Sequence, residues 1–219
     1  MKIFLDTANI QLIEKWADTG LIEGITTNPT HLSNEGKNPV QQILALCDIL
    51  PSGIISVEVV ETEPENVYLQ ARKIALLSEN IAVKIPCHRI YYPVIKQLLN
   101  EGIFLNITLV FSLAQGLMMA KLGAQYISPF IGRLNDNNGN GIELIKQLRH
   151  MLDWYDFDTQ LLAASIRDTN IFEQTIMAGA DIATLPENVF EEALNHPLTD
   201  KGMNKFLQDW KKLTISKFP

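Results

Sequence analysis

Of 219 residues only two are cysteines, Cys47 and Cys87, too few for a disulfide framework and without the paired spacing of a thiolate metal site. The four histidines, His31, His88, His150 and His196, are as dispersed. They form no ligand pair at helical spacing, so no metal is expected. No apolar run reaches the ~20 residues that span a bilayer, and Asp6 interrupts the first segment before a signal-peptide core can form. The expectation is a soluble, cytoplasmic protein with no membrane partner. Positive charge is also scarce: 18 Lys and Arg against 25 Asp and Glu give a net charge of −7. Without a basic face to neutralise a run of phosphates, nucleic acid is not expected as a partner. The glycine fingerprint of a dinucleotide-binding fold is missing too, and no cofactor is expected.

What the chain does have is apolar residues, 47% of the total, enough for one domain over residues 1–219 with a single core. Eight short runs rich in Ile, Val and Leu recur at 2–6, 23–27, 54–60, 81–86, 103–109, 125–130, 160–165 and 181–185. Amphipathic stretches separate them, and strands alternating with helices predict a parallel sheet. Gly20, Gly102, Gly123 and Gly179 end helical stretches just before a strand, as left-handed caps do. Eight such units suit an α/β fold closed as a (β/α)₈ TIM barrel better than an open doubly wound sheet. An additional C-terminal helix, about 199–214, carries Met203, Phe206, Leu207 and Trp210 along one side. That stripe packs either across its own barrel or on a neighbouring subunit.

In a barrel strand one parity of side chains faces the helices and the other faces the interior. In I-A-V-K-I-P, Ile81, Val83 and Ile85 take the outer parity, so Lys84 points inward. The same pattern turns Asp6, Ser56, Glu58, Asn106 and Thr108 inward, with Leu105, Ile107 and Leu109 outward. Thr26 and Asn28 share one parity, and so do Ser128 and Phe130. These polar residues gather near strand C-termini, where barrel enzymes place active sites.

Taken singly, several have plainer explanations. Asp6 with Thr7 would cap the helix starting near Asn9. Glu58, close to Glu61 and Glu63, would be a solvated strand end, and an Asn or Thr at a strand end commonly satisfies backbone groups. Lys84 resists this treatment, because an unpaired ammonium inside a parallel strand costs several kcal/mol. Burial favours a neutral amine able to attack a carbonyl and form an imine, with Asp6 and Glu58 as proton acceptors. A structural ion pair with Asp6 or Glu58 would also account for Lys84, but leaves Asn28, Asn106 and Thr108 unexplained. Arg133 and Arg167 fall on the same rim beside Ser165, a combination suited to phosphate oxygens. Together these residues point to a Schiff-base lyase or transferase acting on phosphosugars.

The residues F-L-D-T (4–7), I-T-T-N-P-T (25–30), V-E-V (57–59), V-K-I-P (83–86), N-I-T-L-V-F-S (106–112), A-Q-G (114–116), I-S-P-F-I-G-R (127–133) and A-A-S-I-R (163–167) span the chain. In this order they resemble the transaldolase family, in particular its short-chain branch, which also contains fructose-6-phosphate aldolases. The resemblance implies that Lys84 forms an imine with a ketose and that Asp6 takes the proton from the hydroxyl beside the bond that breaks. Glu58 and Thr108, with a water, would shuttle protons. Asn28, Asn106 and Ser128 would hold the hydroxyls of a dihydroxyacetone unit, with Thr26 lining the pocket. Arg133, Ser165 and Arg167 match the family's phosphate-binding positions. Phe130 and Glu58 stand where the aldolases have Tyr and Gln, and Asn106 also follows the transaldolase pattern, which favours transfer over simple cleavage. Short members assemble as pentamers or decamers through a C-terminal helix, an arrangement the apolar stripe fits. A non-catalytic sugar-phosphate-binding barrel is the competing expectation. Cys87 and His88 match no pattern in the family.

Overall fold

The structure, a computed structural model, describes residues 1–36 and 38–213. The apolar runs form β1 (Lys2–Asp6), β2 (Gly24–Thr26), β3 (Ile54–Glu58), β4 (Ile81–Pro86), β5 (Leu105–Val110), β6 (Tyr126–Pro129), β7 (Gln160–Ala163) and β8 (Ile182–Leu185). Each strand pairs in parallel with the next, and β8 closes on β1. The result is a TIM barrel.

Helix α1 (Ile10–Ala17) follows β1, and α2 (Pro29–Asn34) and α3 (Pro39–Ile49) follow β2. After β3 comes α4 (Pro64–Ala75), and after β4 a 3₁₀ turn (Arg89–Tyr91) leading into α5 (Tyr92–Asn100). Then α6 (Leu113–Leu122) follows β5, α7 (Ile131–Asp136) and α8 (Gly141–Trp154) follow β6, and α9 (Thr169–Met177) follows β7. The last pair is α10 (Glu187–Ala193) and α11 (Pro197–Trp210). Local chemistry sets these boundaries. Proline sits in the first turn of α2, α3, α4, α5 and α11, where its missing N–H costs nothing. Asn9, Asn28, Asn38, Ser112, Asn140 and Asp168 accept first-turn N–H groups. All four expected cap glycines have positive φ, Gly123 at 91° directly at the end of α6.

The strand ring divides the core in two. Outward residues such as Leu5, Ile25, Ile55, Val83 and Ile107 pack against the helices. Inside the ring, Phe4, Tyr126, Leu162, Ala164 and Ile182 form a second cluster, with Tyr126 edge-on to Phe4 and Phe104 at 6.2 and 5.0 Å. This apolar floor fills the barrel beneath the polar layer.

Two expectations change. Leu109 does not face the helices: the β5–β6 register shifts between Ile107 and Val110, Leu109 takes φ 57°, and it lines the interior cavity. The C-terminal helix begins at Pro197 under a His196 cap and ends at Trp210, rather than running from 199 to 214. Position 214 lies outside the described residues. None of the helix is buried, and Met203, Phe206, Leu207 and Trp210 are 42–73% exposed.

The inner floor leaves no room at Gly24, where a Cβ would meet the Phe4 ring at 2.5 Å and the Ile54 carbonyl oxygen at 2.7 Å. Gly24→Ala is expected to destabilise the barrel by about 1–3 kcal/mol. Thermal unfolding against the parent chain measures it, and an unchanged midpoint would contradict this account of the floor.

Candidate active site

A cavity of about 400 Å³ opens at the C-terminal end of the strand ring. Its chemistry follows from register: β4 sets Lys84 beside Glu58 of β3 and Asn106 of β5, and β1 sets Asp6 beside Thr26 of β2. Lys84 is only 4% exposed. Its ammonium donates to the Thr27 carbonyl oxygen at 2.7 Å and lies 3.2 Å from Glu58 Oε2. The Thr27 hydroxyl in turn bonds the Ser56 carbonyl oxygen at 2.8 Å, which fixes the segment that holds the lysine.

Asp6 is not the cap of α1. That place belongs to Asn9, which accepts from Leu12 N, while Thr7 accepts from Asn9 N. The Asp6 carboxylate accepts from the Thr26 hydroxyl at 2.8 Å, and the Thr184 hydroxyl lies 2.6 Å from that of Thr26. Because Thr26 spends its proton on Asp6, Thr184 is the donor in the second bond. His31 Nε2 lies 3.6 Å from Asp6 Oδ2, an electrostatic contact longer than a hydrogen bond. Burial pushes the Asp6 carboxyl up, but His31, the Lys84 charge and the Thr26 hydroxyl together outweigh it. The net effect holds Asp6 below the usual 3.8.

Across the cavity, Asn106 is oriented by two neighbours: its Nδ2 donates to Ser56 Oγ at 3.1 Å and its Oδ1 accepts from the Ser128 hydroxyl at 2.6 Å. Thr108 is fully buried, and its hydroxyl has no hydrogen-bond partner among the described residues. Asn28 serves twice, lining the cavity while its Oδ1 caps α2 through His31 N at 2.9 Å. The A-Q-G motif acts behind the site. Gln115 ties the loops after β4 and β5 together through Cys87 O and Phe111 N, and Gly116 makes room for Leu148 of α8.

At the outer end, Ser165 reaches the cavity from a left-handed conformation, φ 61°, strain of the kind that collects at functional sites. Arg133 also lines this end, its guanidinium 5.0 Å above the Phe130 ring. Of all the candidates proposed from sequence, only Arg167 is outside the cavity lining. It forms a two-pronged ion pair with Asp136 at 2.6 and 2.5 Å. Four residues escaped the sequence reading: Thr27 and Thr184, which hold Lys84 and Thr26, Asp136 itself, and His31, which had been considered only as a metal ligand. No strand parity applies to Asp136 and His31, which belong to helices, whereas Thr184 lies on β8, where inward parity was the available signal. Among the described residues no group of three or more His, Cys, Asp or Glu lies together as a metal site. The Cys87 thiol is buried, 3.9 Å from the Tyr92 hydroxyl, and burial raises its pKa, as for an inert apolar residue.

Residues 3–217 match the model of the Transaldolase/Fructose-6-phosphate aldolase family. The chain belongs to this family. It is an enzyme of the transaldolase type, and its relatives agree over nearly their whole length. A probable transaldolase of Lactiplantibacillus plantarum is 49% identical over 96% of this chain and 97% of its own. Another, from Phenylobacterium zucineum, is 44% identical over 97% of each, and one from Aquifex aeolicus is 42% identical over the full length of both. Among solved structures, the thiamine phosphate pyrophosphorylase of Pyrococcus furiosus superposes with a TM-score of 0.57 at 14% identity, covering 84% of this chain and 85% of that one. That likeness concerns the barrel alone.

Since His31 helps hold Asp6 ionised alongside Lys84 of β4 and Thr26 of β2, His31→Gln is expected to raise the Asp6 pKa. The carboxylate then begins to protonate at a higher pH during acidification. Carboxyl ¹³C NMR titration of Asp6 measures the shift, and an unmoved titration would remove His31 from this role.

Proposed function

We propose that Lys84 is the imine-forming nucleophile of a transaldolase that moves a dihydroxyacetone unit between ketose and aldose phosphates. The corresponding reaction converts sedoheptulose 7-phosphate and glyceraldehyde 3-phosphate into erythrose 4-phosphate and fructose 6-phosphate, as in the pentose phosphate pathway. The carrying observation is the buried Lys84 amine 3.2 Å from Glu58, in one cavity with Asp6. No cofactor enters the steps.

Glu58 takes a proton from the Lys84 ammonium through a bridging water, the freed amine attacks the ketose C2 carbonyl, and the carbinolamine loses its hydroxyl as water as Glu58, with Thr108, returns that proton to it. The protonated imine then accepts the electron pair of the C3–C4 bond. As that bond breaks, Asp6 takes the C4 hydroxyl proton and the aldose phosphate departs. The enamine on Lys84 attacks the aldehyde carbon of the acceptor, Asp6 returns its proton to the new hydroxyl, and hydrolysis frees the amine. Asn28, Asn106 and Ser128 suit the hydroxyls of the three-carbon unit, with Thr26 holding Asp6. Arg133, Ser165 and Arg167 suit the phosphate.

Phe130 favours transfer over release of free dihydroxyacetone, because it brings no hydroxyl to help a water protonate the enamine. The exposed α11 stripe suits a second copy of the chain, in line with a homo-oligomer, a pentamer or decamer. No helix among the described residues is long and apolar enough to cross a membrane, and a cytoplasmic location accords with this chemistry.

Borohydride with fructose 6-phosphate is expected to trap a covalent adduct on Lys84 that Lys84→Ala does not form. Retention of activity by Lys84→Ala would refute the imine. Asp6→Asn is expected to slow turnover by about 10²–10⁴-fold. Cleavage of fructose 6-phosphate should be slow without erythrose 4-phosphate and fast with it, and Phe130→Tyr should raise the acceptor-free rate. Rapid acceptor-free turnover of the parent enzyme would instead make it an aldolase.

A further inference from the structure

Arg167 has one hydrogen-bonding partner among the described residues, and the geometry of that pairing is specific. Nη1 donates to Asp136 Oδ1 and Nη2 to Oδ2, so the carboxylate grips the guanidinium end-on. Arginine has five N–H donors on a rigid plane. The end-on grip uses two of them and leaves the adjoining edge, Nε–H with the second N–H of Nη2, unengaged. The Nε end of that edge lies close to Gly132 and the Ser165 hydroxyl, an approach that only a residue without a side chain permits. A Cβ on Gly132 would come within 2.8 Å of Arg167 Nε and 2.9 Å of Ser165 Oγ. Gly132 donates its N–H to the Ser165 carbonyl oxygen at 3.0 Å, which locks α7 to the end of β7. The carboxylate and this glycine both come from α7, whose Arg133 lines the cavity.

We propose that Asp136 is a positioning residue for phosphate recognition. By holding Arg167 end-on, it presents the guanidinium's free edge, beside Ser165 and across Gly132, to the substrate phosphate. The inference rests on the sugar-phosphate reading of the site and adds a residue to it. An untethered arginine at this exposed rim, where Arg167 is 53% exposed, has many rotamers to lose on binding. Asp136 removes most of that cost in advance. The pairing also lowers the local charge from two cations to one, so the site gains direction rather than net attraction.

The test compares Asp136→Ala, Asp136→Glu and Arg167→Ala in the complete enzyme. The acceptors are erythrose 4-phosphate and unphosphorylated D-erythrose, with inorganic phosphate as competitive inhibitor. Asp136→Ala is expected to raise KM for erythrose 4-phosphate and Ki for phosphate about tenfold, the loss of one charge-assisted hydrogen bond. The kcat and the KM for D-erythrose should hold, and Asp136→Glu should recover most of the loss. An unchanged or lowered KM and Ki in Asp136→Ala would overturn the proposal, making the carboxylate a bystander or a competitor of phosphate. A fall in kcat with both acceptors, without recovery by Asp136→Glu, would assign it a merely structural role and overturn the proposal too. Arg167→Ala separates the two levels. If it leaves KM and Ki unchanged, the phosphate-site reading fails, whereas an effect in Arg167→Ala without one in Asp136→Ala sinks the Asp136 inference alone.

Discussion

An ammonium group buried inside a strand ring has to be held, and much of the site's architecture answers that requirement. Lys84 lies in the middle of an otherwise apolar strand, where an unpaired charge would cost several kcal/mol. Glu58 meets it from the neighbouring strand, and the Thr27 carbonyl oxygen meets it from the end of β2, one strand further on. The first contact depends on β3–β4 register and the second on the conformation of the chain just past β2. Holding the lysine therefore fixes the relation of three strands, and the same fixed relation aligns Asp6 and Asn106 with it.

Below this layer the chemistry changes abruptly. Phe4, Tyr126, Leu162 and Ile182 fill the barrel with apolar volume, so the cavity above them ends on an apolar floor. Polar contacts among Asp6, Thr26, Thr184, Ser56, Asn106 and Ser128 occur above it, where low dielectric strengthens each one. Leu109 and Ser165 adopt left-handed conformations at the mouth, and Asn28 combines helix capping with a place on the cavity wall. Capping and binding are not alternatives for such a residue, since Oδ1 serves the helix while Nδ2 remains on the same amide.

The outer rim follows a different rule, because solvent can satisfy its charges. There Arg167 is ordered by Asp136 and Arg133 by the face of Phe130. Short helix α7 carries the partner of each arginine or borders it: Phe130 precedes the helix, Gly132 opens it toward Ser165, and Asp136 ends it. The geometry of both arginines is thus set from α7.

Two periodicities were enough to read the eight strands and the inward direction of Lys84, Glu58, Asp6, Asn106 and Thr108, because alternation within a strand is a local property of the backbone. Motif order likewise carried the family. Leu109 escaped because a one-residue bulge reverses parity without changing composition, and the extent of α11 escaped because its ends depend on His196 and Pro197 rather than on its apolar stripe. Tertiary structure alone decided that His31 stands against Asp6 and that Arg167 turns to Asp136. It also decided that the stripe of α11 stays half-exposed. Such pairings join segments widely separated in the chain or leave helices at angles that no repeat encodes, so they exist only once the ring has closed.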